Sequence, residues 1–510
     1  MNINNVISYK GQAHIPANAT SQRTKTSIFY VNDIHGQIPK MQRLFTAAKH
    51  TEILGKQNGA DVLKFSSGDT FIGEDVKRNT IASTFLSMAD IDAETLGNHE
   101  FDITATKCGD LLRNSKTKLL GMNLNFPNQP CSLSDNVSRS IIVQGENGEK
   151  YGVVGIQPPD LEARVKDKTR ILEGISVDDE NQTIKELQEE VDKLKEQGLN
   201  KIILLSHTGN KFEKKIAETV SGIDVILGGH SHDLIKGVKE GENLFYSPSG
   251  EPVVITQAGR DGNNFGVLNL EFNEKGHIVS VQNNVHDTNV YSPNLIMSKT
   301  VDSILGKSPQ IGVLKHVDKL PGNIIEENPW ADFVADAMKN AHEADIALVN
   351  SANFRGSVDT GVVTERDITS IFPFENKLVK VKLSEKDLVD AIKHCAKTLV
   401  NENNKPGVLQ VSGLEYTINK QGEVLDITFI DKANSRQHID VKNPNPNKEY
   451  IAVYDEFLLN GGDKCEMLKR QDSQIIERYN YDKDLVTINH IKTLPQPFEV
   501  HADGRIKIVD

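Results

Sequence analysis

Cysteine is scarce. Cys108, Cys131, Cys395 and Cys465 are scattered through 510 residues with no CxxC pair and no even, close spacing. That argues against a disulfide framework, and the expectation is four small, buried apolar side chains. Long apolar runs are missing as well. No segment approaches the roughly 18 consecutive apolar residues of a membrane helix, and the opening stretch MNINNVISYKGQAHIPANATSQRTKTS lacks the apolar run of a secretory signal. The expectation is no membrane span and, as the chain is written, a cytoplasmic location. Positive charge is in deficit: 58 Lys and Arg face 71 Asp and Glu, a net charge of −13. Non-specific binding to nucleic-acid backbones works through Lys and Arg that displace counterions, so no nucleic-acid partner is expected. A small anionic substrate stays compatible with this charge where local metal charge outweighs the global field. Low-complexity tracts and repeats of solenoid period are also absent.

What is present is the composition of a folded globular chain, 37% hydrophobic and 25% charged, long enough for two large domains. From Ser27 onward one pattern recurs: a short apolar run, a polar or glycine-containing turn, and often a helical stretch. This is the signature of α/β or layered α+β architecture. Ile28-Phe29-Tyr30-Val31 leads into Asn32-Asp33-Ile34-His35-Gly36, and Asp61 to Phe65 leads into Ser66-Ser67-Gly68-Asp69. Met41, Leu44, Phe45 and Ala48 share one helix face, as do Ile184, Leu187, Val191 and Leu194. Strands are predicted over Lys201 to Leu205, before His207, and over Asp224 to Leu227, before Gly228-Gly229-His230-Ser231-His232. The pattern weakens around Asn294 to Gln310, and a helix near Pro329 to His342 and a strand near Ile346 to Val349 open a new series. The division expected is a segment 1–26, a domain 27–293, a linker helix within 294–310 and a second domain 311–510.

Metal-binding side chains collect where these strands end. Asp33-x-His35 offers a hard carboxylate and a borderline imidazole to one cation. Gly68-Asp69 combines a sharp backbone turn with a carboxylate able to bridge two ions. In Gly97-Asn98-His99-Glu100-Phe101-Asp102 a neutral Asn ligand would leave positive charge on its metal, and His99 would serve chemistry rather than coordination. His207, then His230 and His232 at alternate positions of an extended segment, complete the set. Taken singly, each histidine is better explained as hydrogen-bonded structure; five elements in this order, each after an apolar run, are not.

In this order, DxH, GD, GNHEFD, SH and GGHSH resemble the calcineurin-like metallophosphoesterases, and the GNHEFD and GGHSHD forms resemble their 5'-nucleotidase branch. The resemblance continues through Asn350-Ser351-Ala352-Asn353-Phe354-Arg355, Phe372-Pro373-Phe374-Glu375-Asn376, Leu409-Gln410-Val411-Ser412-Gly413 and Phe457 to Asp463, which look like that branch's C-terminal nucleotide-binding domain. It implies an α/β (α+β) chain: a four-layer αββα metallophosphoesterase sandwich, then a smaller α/β domain that binds the substrate. It implies two divalent ions, Zn or Mn, one held by Asp33, His35, Asp69 and His232 and the other by Asp69, Asn98, His207 and His230, with a hydroxide between them as nucleophile. His99, oriented by Asp102, would stabilise phosphoryl charge or protonate the leaving group; the other reading of Asp102 is a helix N-cap. Phe374 and Phe457 would sandwich a nucleobase, Asp463 would bind the ribose hydroxyls, and Asn350 and Arg355 would hold the base or the substrate's charge. Relatives of this branch are mostly exported.

The activity this implies is hydrolysis of nucleoside 5'-monophosphates, with a small-molecule nucleotide as partner. Two other readings stay open: action on 2',3'-cyclic nucleotides and then 3'-nucleotides, and a nucleotide-binding protein without catalysis. Two departures bear on the substrate. Ser351-Ala352-Asn353 stands where the family often has a glycine run, and Glu326-Glu327-Asn328-Pro329-Trp330 where a basic residue is common. The added carboxylates disfavour extra phosphates, so monophosphates are expected over di- and triphosphates.

Overall fold

The computed structural model describes residues 13–14, 23–127, 131–321, 324–355, 357–372, 374, 376–400 and 406–510. Most of the segment 1–26, and Pro373 and Glu375 of the Phe372 to Asn376 motif, lie outside the described residues. The chain divides into two compact units, 1–306 and 307–510. The stretch 294–310 read as a junction holds a helix, Leu295–Leu305, whose Met297 and Val301 pack into the core of the first unit.

Two sheets face each other in the first unit. One has eight strands, in the order Ala13–His14, Ile278–Asp287, Asn264–Phe272, Thr24–Val31, Asp61–Ser66, Ala93–Thr95, Lys118–Leu120 and Val137–Ser138. From Thr24–Val31 to Val137–Ser138 its strands run parallel. The second has six strands, with Lys150–Ile156, Ile202–Ser206, Val225–Leu227 and Pro252–Thr256 parallel at its centre. Alternation along the strands explains the layers. Ile28 and Tyr30, with Leu63 and Phe65 on the neighbouring strand, point at the opposing sheet, where they join Val153, Ile203, Leu205 and Val225. Phe29 and Val31 point the other way, into helices Ile38–Gln57, Val76–Met88 and Ala105–Leu112. Val154, Leu204 and Ile226 do the same on the second sheet, against helices Glu180–Glu196 and Asn210–Thr219. The result is the expected αββα sandwich, and strands buried on both faces read as continuous apolar runs for that reason.

A five-stranded sheet organises the second unit, in the order Leu409–Ser412, Ile346–Asn350, Glu449–Asp455, Lys377–Ser384 and Ile475–Asp482. Helix Pro329–Ala341 covers one face through Trp330, Val334 and Met338 against Ala347, Val349 and Val453. Helix Glu385–Ala396 covers the other through Leu388 and Ile392 against Ile346, Leu348 and Val381. The Glu326 to Trp330 stretch is a helix start: Asn328 caps Pro329–Ala341 by accepting from the Trp330 amide at 2.9 Å. Glu327 accepts the amides of Gly504 and Arg505 at 2.9 and 3.0 Å. Among the described residues no helix is long and apolar enough to cross a membrane.

Candidate metal centre and nucleotide site

Five strand ends of the first unit converge on one point. Four follow the predicted runs; the fifth, Ala93–Thr95, is three residues long and too short to read from sequence, yet it carries Asn98 and His99. The ligand atoms of Asp33, His35 and His232 lie within 4.8 Å of one another, as do those of Asp69, His207 and His230, and those of His35, Asp69 and His99. Asp69 Oδ2 stands 3.1 Å from His207 Nε2 and 3.5 Å from His35 Nε2, between the two groups. Asp33 Oδ1 is 3.3 Å from His232 Nε2. His35 donates from Nδ1 to Asp261 Oδ1 at 2.8 Å, and His207 from Nδ1 to the Ser67 carbonyl at 2.6 Å. Each bond fixes the tautomer and turns Nε2 to the centre, which is the arrangement of a metal-binding imidazole. The side-chain oxygen of Asn98 is buried without a hydrogen-bond partner. Buried acceptors are rarely left so, and a cation would satisfy it.

The backbone here is strained. Twelve non-glycine residues among those described have positive φ, and six of them, Asp33, His35, Asp69, His230, His232 and Asp261, belong to this cluster. Each such residue costs about 1–3 kcal/mol and persists only where its surroundings impose it. Close approach imposes it here. A Cβ on Gly97 would fall 2.2 Å from Asp69 Oδ1, and one on Gly229 would fall 2.8 Å from the Ser67 carbonyl. His99 meets the cluster through its amide, which donates to Asp69 Oδ1 at 2.8 Å, while its Nδ1 is 2.7 Å from Asp102 Oδ2. Asp102 closes the short turn His99–Asp102 and also accepts the Gly73 amide at 2.7 Å. It is not an N-cap: Thr104 caps the following helix Ala105–Leu112.

In the second unit, Asn350 leaves the end of strand Ile346–Asn350 and hydrogen-bonds Asp463 of the Asn460-Gly461-Gly462-Asp463 turn. Asp463 and Lys464 both have positive φ. Phe457 packs on the same turn so closely that a Cβ on Gly462 would lie 2.5 Å from its ring. The Arg355 guanidinium lies 5.9 Å from the centroid of Phe374. The structure thus joins Asn350 with Asp463, seats Phe457 on their turn, and sets Arg355 against Phe374. Ser351 and Asn353, at the departure from glycine, are buried and bonded: Ser351 Oγ donates to the Val408 carbonyl at 2.6 Å, and Asn353 Nδ2 donates to Asp455 Oδ2 at 2.9 Å.

Known proteins carry the same two units. The family model for calcineurin-like phosphoesterases matches residues 26–234, and that for the 5'-nucleotidase C-terminal domain matches 310–470. The chain belongs to the 5'-nucleotidase family. It is 24% identical to the 5'-nucleotidase of Rattus norvegicus across 97% of this chain and 92% of that protein. It is 26% identical to a trifunctional nucleotide phosphoesterase protein of Bacillus subtilis across 95% of this chain, which spans only 35% of that longer protein. In fold it resembles a 5'-nucleotidase precursor from Thermus thermophilus, with a TM-score of 0.70 at 22% identity over 95% of this chain and 99% of the other. A sulfate thiohydrolase of Thermus thermophilus superposes with a TM-score of 0.67 at 16% identity, over 98% of both chains. These structural likenesses speak to the fold alone. As a member of the 5'-nucleotidase family the protein is a metal-dependent phosphoric ester hydrolase, and its family binds divalent ions and nucleotides.

Burial and close charge pairing shift titration within this cluster. Burial pushes the carboxyls of Asp33 and Asp69 up, but the imidazoles of His232 and His207 beside the first, and of His207 and His99 beside the second, hold both well below the ordinary range. Burial alone would lower His207; Asp69 and Asp33 outweigh it and push the imidazole up to about 10. Burial keeps His230 well below its usual value and brings His232 down to about 4. Two further residues of this cluster escape sequence reading. Glu100, inside the GNHEFD motif, accepts the amides of Asp69, Phe71 and Gly97 at 2.9, 2.9 and 2.7 Å and so fixes the Asp69 loop. Its place beside His99 was the only signal. Asp261 orients His35 from a turn with no motif spacing and carried none.

Proposed function

We propose that this enzyme releases phosphate from nucleoside 5'-monophosphates using two divalent ions, one held by Asp33, His35, Asp69 and His232 and one by Asp69, Asn98, His207 and His230. The observation that carries the reading is Asp69 Oδ2, which stands 3.1 Å from His207 Nε2 and 3.5 Å from His35 Nε2, with His35 and His207 each turned inward by a bond on the opposite nitrogen. When bound, such ions supply Lewis acidity toward a phosphoryl oxygen and bring the deprotonation of water near neutral pH. The mixed imidazole and carboxylate set suits Zn or Mn.

The chain's own side chains do the rest. Asp102, fixed by the Gly73 amide, holds His99 Nδ1. His99 Nε2 is then the nitrogen that stabilises phosphoryl charge or hands a proton to the departing ribose oxygen. Phe374 and Phe457 stack the base, Asp463 binds the ribose hydroxyls, and Asn350, which bonds Asp463, holds that carboxylate in place while it and Arg355 meet the base or the substrate's charge.

A second reading, hydrolysis of 2',3'-cyclic nucleotides followed by 3'-nucleotides, has its own support. None of the cation-facing residues selects an ester position, and a relative as similar as the 5'-nucleotidases is named for three nucleotide phosphoesterase functions. Incubation of the purified protein with AMP, 3'-AMP and 2',3'-cyclic AMP under Mn²⁺ or Zn²⁺, with product position read by chromatography, separates the two. Faster turnover of AMP supports the first reading, and faster turnover of the cyclic ester replaces it with the second.

A further inference from the structure

A second group of metal-type side chains lies in the second unit. Strand Gln310–Val317 pairs in parallel with strand Phe498–Val500, setting His316 opposite Glu499. Just past both strand ends, the Asp318 amide donates to the Val500 carbonyl at 3.0 Å and the Ala502 amide donates to Asp318 Oδ2 at 3.0 Å. One carboxylate oxygen of Asp318 is therefore held by the backbone. The other, Oδ1, meets His316 Nε2 at 2.9 Å and His501 Nδ1 at 3.2 Å. The two imidazoles lie 5.3 Å apart between centroids, both about half exposed. Glu499 Oε2 takes the other nitrogen of His501 at 3.1 Å, and Glu499 Oε1 takes Lys315 Nζ at 2.8 Å.

We propose that His316, Asp318 and His501 bind one divalent transition-metal ion, of the zinc class, apart from the catalytic centre. Two imidazoles and a carboxylate form a borderline donor set that prefers such ions to calcium or magnesium. The geometry is close to what an ion needs. Zinc holds N and O donors at about 2.0–2.2 Å, so tetrahedral donors sit roughly 3.4 Å apart. The separations from Asp318 Oδ1, 2.9 and 3.2 Å, reach that with small side-chain shifts, and the ligand atoms of all three residues lie within 4.8 Å of one another. Two imidazoles converging on one carboxylate oxygen is also more than a single hydrogen bond requires. Glu499 supplies the outer carboxylate that commonly orients a metal-binding histidine, here leaving Nδ1 for the ion. The partial exposure of both rings leaves further positions to water. An ion held there would tie strand Gln310–Val317 to the turn after Val500.

The full chain tests this. Wild type and the double variant His316→Gln/His501→Gln are dialysed against the same low-micromolar Zn²⁺ and their metal content measured. Glutamine keeps an amide donor for Asp318 and removes the imidazoles, so loss of metal is separated from loss of a hydrogen bond. The expected result is one equivalent fewer per chain in the variant, with unchanged hydrolysis of a generic aryl phosphate. Glu499→Gln, which leaves all three ligands in place, should keep the equivalent but weaken it by about 10–100-fold. Equal zinc content in wild type and the folded double variant, or the same zinc-induced rise in melting temperature in both, overturns the proposal.

Discussion

The two units hold their candidate sites by different balances of backbone and side-chain contact. In the first, the clustered side chains are set by the backbone: Asp33, His35, Asp69, His230 and His232 all sit at positive φ, on loops anchored to strands buried on both faces. In the second, side-chain contacts among the candidate substrate residues add to the backbone, through the Asn350–Asp463 bond, the Phe457 ring on its glycine turn and the Arg355–Phe374 contact, while Asp463 also sits at positive φ. A rigid scaffold places reactive atoms to within a fraction of an ångström, which chemistry needs. Side-chain pairs adjust more readily, and adjustment is what changes a substrate preference without a change of fold.

The comparison predicts that the first unit fails abruptly and the second by degrees. Asp69→Asn removes the carboxylate that stands between His35 and His207 and is proposed to bridge both ions, so metal content should fall sharply and AMP hydrolysis by more than about 10⁴-fold, beyond what one general acid contributes. Asp463→Asn should leave metal content unchanged. His99→Ala comes next. Its backbone amide, which holds Asp69 Oδ1, survives the substitution, so bound metal should stay while turnover drops by about 10²–10⁴; normal turnover would remove His99 from the reaction.

Substitutions in the second unit should be milder. Phe457→Ala removes one stacking face, worth about 1–3 kcal/mol, or roughly 5- to 150-fold in kcat/KM for a nucleotide. With an aryl phosphate that lacks a base, the same variant should match wild type, and an equal loss on both substrates would mean that Phe457 only supports the turn. Asp261→Asn probes the backing of the metal site. It weakens the bond that turns His35 inward, and apparent metal affinity should fall by about 10–100-fold.

How much of this could be read from the chain alone follows from the same contrast. The layered fold was legible because doubly buried strands leave apolar runs and the helices over them keep a 3.6-residue period, as Met41, Leu44, Phe45 and Ala48 do in Ile38–Gln57. The clustering of Asp33, His35, Asp69, His207, His230 and His232 was legible because each follows its strand within a few positions, so that proximity in space is also proximity to a pattern. Asp261 was not, since its partner His35 is 226 residues away and nothing local marks it. The meaning of Ser351-Ala352-Asn353 and Glu327 was hidden for a similar reason. Read as departures from a binding motif, Ser351, Asn353 and Glu327 are committed to hydrogen bonds with Val408, Asp455 and the Gly504–Arg505 amides, all distant in sequence.

The rigidity of the first site also sets its response to pH. His207 is raised from the ordinary 6.5 to about 10 by Asp69 and Asp33, so without metal it carries a proton at neutral pH. A group raised in the folded state adds stability that is complete below its unfolded value and is lost as pH climbs to its folded value. Metal-free protein should therefore lose this contribution between about pH 6.5 and 10. A cation on His207 must displace that proton, whereas burial has already cleared His232, whose value is about 4, near neutrality. Between pH 6 and 8 the apparent affinity of the ion bound by His207 should rise about tenfold per pH unit, with one proton released per ion. Mn²⁺ titration calorimetry in buffers of different ionisation enthalpy measures both. Affinity independent of pH over that range would mean that His207 is already deprotonated, and that the two aspartates do not hold its charge.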